Sequence, residues 1–170
     1  MINLSSKEIK GLNSSKIAKS EKNDCFVRAL AAATEVDYDT THEVVKNVFN
    51  RESKKGTENI DIVTQMLNAE KNGLQMGDFN FNVRVLGKSH TKNTYKLYGE
   101  YVDRKKTVKS FIKDHPKGNY VVTVSKHAFA VKDGMLVDNQ GEEFRPTRKV
   151  DGAYKIMSTS KVGKQLSLFA

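Results

Sequence analysis

An α+β fold, with helices first and antiparallel strands after them, is predicted by three features of the sequence. The run Cys25-Phe26-Val27-Arg28-Ala29-Leu30-Ala31-Ala32-Ala33 has the composition of a buried helix. Apolar residues change from helical spacing to alternation at Phe79, Phe81, Val83 and Val85. Asp133-Gly134 stands between two apolar runs and marks a tight hairpin. Helices followed by hairpin-linked strands are the α+β order.

Each element follows from local signals. Residues 1–22 are polar, rich in lysine and serine, and are expected to be loose or held by a short helix around residues 7–12. Asn23-Asp24 offers an N-cap to the alanine-rich helix. A second helix is expected from Thr40, where Thr40-Thr41-His42-Glu43 has the form of a capping box, and a third from Gly56-Thr57 to a stop at Gly73. Phe79 to Val85 reads as a half-buried strand; residues 88–106 are hard to place, with Tyr95, Leu97, Tyr98 and Tyr101 suited to either strand or loop. Thr107 caps a fourth helix that Pro116 and Gly118 end. Strands are expected at residues 120–125, 127–132, 135–138 and 153–157. The domain is thus residues 23–157, preceded by the polar segment and followed by a flexible tail, residues 158–170.

Composition narrows the function classes. No run of 18 apolar residues exists, so no membrane span is expected. One cysteine and no apolar signal core point to a reducing, cytoplasmic setting. The net charge is +9 with pI near 9.5, which admits DNA as a partner, but no recognition motif accompanies the lysines and a solvated basic surface explains them as well. No zinc spacing, glycine-rich phosphate loop or paired carboxylates are found, so no cofactor or metal is expected.

Cys25 is the residue that suggests chemistry. It sits in the first turn of a helix, where unsatisfied N–H groups and the helix dipole favour a thiolate. Alone it would read as a small core residue. His127 changes that reading, because it begins an otherwise apolar strand at the point where the sheet faces the helix. His42, His90 and His115 fall on a helix surface, in a loop and at a helix end.

A third group should orient the imidazole, and hairpin register chooses it. A two-residue Asp133-Gly134 turn pairs Lys132 with Met135 and puts Asp138 on the face of His127; a three-residue loop with a bulge would put Asn139 there. Asp138 is favoured because its charge would stabilise imidazolium, and Asn139 stays the alternative.

Asn23-Asp24-Cys25-x-x-Arg28-Ala29-Leu30, followed by Gly118-x-Tyr120-Val121-Val122 and His127-Ala128-x-Ala130-Val131-x-Asp133-Gly134-x-x-x-Asp138, resembles the small papain-like cysteine peptidase-fold proteins of phages and bacteria. The resemblance implies a papain-like fold over residues 23–157, N-terminal helices packed on an antiparallel sheet. It also implies Cys25 as nucleophile, His127 as general base and then acid, and Asp138 as orienter. The chain departs from that family at Lys19, where a glutamine six residues before the cysteine usually helps form the oxyanion hole. Asn23 or the Cys25 N–H would then supply donors.

The tail ends Gln165-Leu166-Ser167-Leu168-Phe169-Ala170, and the pentapeptide Gln165 to Phe169 resembles the bacterial sliding-clamp-binding motif. Three large apolar side chains on a polar terminus have no obvious cover, although a last edge strand would also use them. The function expected is a thiol hydrolase acting on a protein or peptide and recruited to the DNA sliding clamp of a bacterial or phage-infected cell. The alternative is a non-catalytic protein of phage type that binds the clamp, DNA or both to modulate replication.

Overall fold

The computed structural model describes residues 2–3, 9–89, 95–97, 100–102, 106–138, 145 and 147–157. It is α+β, with helices on both faces of a largely antiparallel sheet. The helices are α1 (Lys16–Ser20), α2 (Cys25–Thr34), α3 (Tyr38–Val48), α4 (Asn59–Asn72) and α5 (Val108–Asp114). The strands are β1 (Ile2–Asn3), β2 (Leu74–Met76), β3 (Phe79–Ser89), β4 (Tyr95–Leu97), β5 (Glu100–Val102), β6 (Asn119–Val124), β7 (His127–Lys132), β8 (Met135–Val137) and β9 (Gly152–Met157). Their order is β1-β8-β7-β6-β9-β3-β4-β5, with β2 beside β3; among the described residues only the β1–β8 pair is parallel. Among the described residues no helix is long and apolar enough to cross a membrane.

Alternation along the strands divides the core in two. One face carries Val83, Val121, Ala128, Ala130, Tyr154 and Ile156 against α2, α3 and α4. The other carries Tyr120, Val122, Phe129, Val131 and Leu136 against Val108 and Phe111 of α5. Ala29, Ala31, Ala32 and Ala33 of α2 are buried, as are Ala128 and Ala130 of β7. Small side chains on both surfaces leave room for the helix backbone close to the strand, and adding even a methylene or two there would overpack it by about 1–3 kcal/mol.

Three helix starts differ from the sequence expectation. α1 lies at Lys16–Ser20 rather than at residues 7–12, because the Ser15 side chain accepts from the Ala18 N–H at 2.9 Å. Ile9, Leu12 and Ala18 are buried, so the polar segment is partly anchored in the main core. α3 starts at Tyr38, not Thr40, since Asp37 caps it by accepting from the Thr40 N–H at 3.0 Å. α4 starts at Asn59, and Gly56 and Thr57 stay in the preceding loop. Thr107 caps α5 as the sequence suggests, accepting from the Ser110 N–H.

Two hairpins position the site. β7 and β8 pair Lys132 with Met135 and Val131 with Leu136 across a two-residue turn. Asp133 and Gly134 both have positive φ, 47° and 77°, as a type I′ turn demands. β6 and β7 pair Val124 with His127, leaving Ser125-Lys126 as the turn.

Candidate thiol–imidazole site

Cys25 is the first residue of α2 and is half-buried. Asp24 is the N-cap by position, yet its side chain makes no cap bond. The carboxylate instead accepts from Arg28 Nε at 2.9 Å and from the Tyr38 hydroxyl at 2.8 Å. Burial and that carboxylate push the Tyr38 hydroxyl pKa far up, so Tyr38 remains a donor. With the carboxylate turned aside, no side chain of Asp24 competes for the first-turn N–H groups, which stay disposed to support an anion at Cys25.

His127 opens β7 at the end of the sheet, its side chain 15% exposed. Its Nε2 lies 3.0 and 3.1 Å from the two carboxylate oxygens of Asp138, which is buried. The imidazole pKa is pushed up to about 9, by the bond to Asp138 first and a hydrogen bond with Cys25 second, against burial. Nε2 is held by Asp138, so Nδ1 is the ring nitrogen left for the thiol. At neutral pH the ring is an imidazolium, the form that stabilises a thiolate and later gives up a proton.

These two groups face a cleft of about 910 Å³. One wall is the loop from Lys55 to Glu58 with Asn59 at the start of α4; the other is formed by Thr123, the Ser125-Lys126 turn and Arg148. A buried ion pair anchors the first wall from behind. Arg51 Nη1 contacts Glu21 at 2.5 Å, and Arg51 Nη2 donates to the Lys22 carbonyl at 2.9 Å. Glu21 also accepts from the Lys54 N–H at 2.8 Å and bonds His42 Nε2 at 2.6 Å. Burial alone would raise the Glu21 pKa, but the bonds from Arg51, His42 and the Lys54 amide hold it at about 2.

The structure therefore brings Cys25, His127 and Asp138 together. Asn23 lines the cleft with a left-handed backbone, φ 54°, and one of its amide N–H groups is donated to the Lys54 carbonyl at 3.1 Å. Its other N–H is the donor left for a ligand. Lys19 is exposed on α1 and is not a cleft residue. Asn139 and the tail residues Gln165, Leu166, Ser167, Leu168 and Phe169 lie outside the described residues.

Sequence reasoning missed the Lys55–Asn59 wall, Lys126, Arg148 and the Glu21–Arg51 anchor. Only Lys126 had a local signal: the polar pair Ser125-Lys126 between two apolar runs, next to His127. Among the described residues no three His, Cys, Asp or Glu side chains converge as a metal site needs. Comparison with family models, curated proteins and solved structures returns no match for this chain.

Proposed function

We propose that the chain is a papain-like thiol hydrolase that cleaves an amide or isopeptide bond with Cys25, His127 and Asp138. The observation that carries this reading is the His127–Asp138 hydrogen bond beside Cys25 at an open cleft, with the thiol at a helix N-terminus. The Cys25 Sγ attacks the carbonyl carbon, forming an S–C bond and an oxyanion. Donors for that oxyanion are the Cys25 N–H and the second N–H of Asn23. His127 passes its proton to the amine as the C–N bond breaks. Water then attacks the thioester, giving a proton to His127 and releasing the acid and Cys25. Asp138 keeps the ring oriented and stabilises its charged form throughout.

The tail motif supports recruitment of this activity to a bacterial sliding clamp, in a bacterial or phage-infected cell. One observation favours the non-catalytic alternative: Lys19, at the position of the papain-like family's glutamine, does not line the cleft, which leaves Asn23 as the one side-chain donor named for the oxyanion. Treatment with a peptide vinyl sulfone tests the two readings. Stoichiometric addition at Cys25, absent in His127→Ala, supports the hydrolase; no addition to either protein favours the clamp- or DNA-binding role.

A further inference from the structure

We infer that the cleft selects acidic peptides, holding a substrate carboxylate beside the scissile bond against Lys126 and Arg148. This rests on the hydrolase reading and adds the class of its substrate.

The charge lining the cleft is one-sided. Lys55, Lys126 and Arg148 face it with a single carboxylate, Glu58, among the described residues. The Lys55 charge is largely offset by exposed Glu52 at 2.7 Å. Lys126 is exposed and makes no ion pair among the described residues. Arg148 donates Nη2 to the Ser125 carbonyl at 2.5 Å, a neutral partner that fixes the guanidinium on the turn without cancelling its charge. Two cations that make no ion pair among the described residues thus stand on, and bonded to, the turn that leads into His127.

The backbone adds an independent sign. Lys126 has φ 60°, in the second position of a two-residue turn, where glycine or asparagine is more comfortable. A strained residue next to a reactive group points to use of its side chain. An ammonium and a fixed guanidinium on one wall suit a carboxylate, which accepts from both. Cleft walls of low dielectric concentrate that field on whatever approaches Cys25.

Paired alkylating agents test this on the full chain. Iodoacetate and iodoacetamide react alike, the Cys25 Sγ–C bond forming as iodide leaves, but only the first carries a carboxylate. The ratio of their rates at Cys25, divided by the same ratio for glutathione, should exceed one. It should fall about two- to fivefold in Lys126→Gly, the range of an exposed ion pair, and further in Lys126→Gly/Arg148→Gln. Salt at 1 M should lower it too, since the screening length is then about 3 Å. Glycine suits the left-handed turn, so the single variant should melt no lower than wild type. A ratio that both variants leave unchanged overturns the inference, because the imidazolium alone then explains it. So does a ratio below that of glutathione. The iodoacetamide rate by itself reports the thiol: a fast rate with an indifferent ratio sinks only the acidic selectivity. A rate no faster than that of glutathione sinks the hydrolase reading and this inference with it.

Discussion

His127 Nε2 and the Asp138 carboxylate stand 3.0 Å apart because a two-residue turn at Asp133-Gly134 puts both residues on one face of the sheet. The bond raises the imidazole pKa from 6.5 to about 9. A folded-state pKa above the unfolded one stabilises the protein fully below about pH 6.5, and that contribution is lost as pH rises through about 9. Discounted for the partial exposure of the ring, the shift corresponds to about 1–2 kcal/mol. The unfolding free energy of wild type, measured in urea against pH, should therefore exceed that of His127→Ala by most below pH 6.5. The gap should narrow by pH 10, down to the packing and neutral hydrogen bond of the ring, and a gap constant over that range contradicts the assignment. In Asp138→Asn the His127 titration, followed by NMR, should move down toward 6.5.

The Glu21–Arg51 pair behaves in the opposite sense. Its carboxylate pKa is depressed to about 2, so its contribution is present above about pH 4.5 and is lost as pH falls from there through 2. Both side chains are almost fully buried. Arg51→Met leaves a buried carboxylate without its main partner and should cost about 3–5 kcal/mol at pH 7. Glu21→Gln should flatten the acid limb of the stability profile between pH 4.5 and 2. An acid limb identical to wild type would show that Glu21 does not drive acid unfolding.

Gly152 is required by its neighbours. A Cβ there would lie 2.7 Å from Thr123 Oγ1 and 2.8 Å from the Tyr154 hydroxyl. Gly152→Ala should cost about 1–3 kcal/mol by overpacking. The Tyr154 hydroxyl is itself buried without a hydrogen-bond partner among the described residues. Tyr154→Phe should thus be neutral or stabilising by about 1 kcal/mol, and should recover part of the Gly152→Ala loss in the double variant. Thermal melts of the four proteins check this; strictly additive losses would show that the hydroxyl is not what the methyl meets.

What could be read from the sequence was what local chemistry determines. The alanine-rich helix, the alternation from Phe79 and the Asp133-Gly134 turn each carry their signal within a few residues. The placement of Cys25 near His127 and Asp138 follows from a helix start and a hairpin register, which are also local. What escaped depends on contacts between distant segments. Tyr95, Leu97, Tyr98 and Tyr101 suited strand or loop equally, because β4 and β5 are short strands with partners that only the folded sheet supplies. The cleft wall at Lys55–Asn59 read as a helix start, because nothing near Gly56 announces that Arg51 is tied to Glu21 thirty residues earlier. The Asn23 amide bond to Lys54 is of the same kind. Asp37 displaced Thr40 as a cap because both were competent and Tyr38 is fully buried at the helix start.

Removal of residues 164–170 tests recruitment. The full chain should bind a purified bacterial sliding clamp, and the truncated chain should lose that binding while its melting temperature stays within a degree or two. Leu168→Ala/Phe169→Ala should behave like the truncation. Undiminished binding by the truncated chain would remove the tail from the account.

The most direct test of the thiol–imidazole pair is the rate of iodoacetamide alkylation at Cys25 against pH, in wild type and in His127→Ala. A free thiol of pKa about 8.5 is almost wholly protonated at pH 6. Wild type should still react readily at pH 6, whereas His127→Ala should react only as pH approaches 8.5. Equal profiles in the two proteins, both following a free thiol, would contradict it.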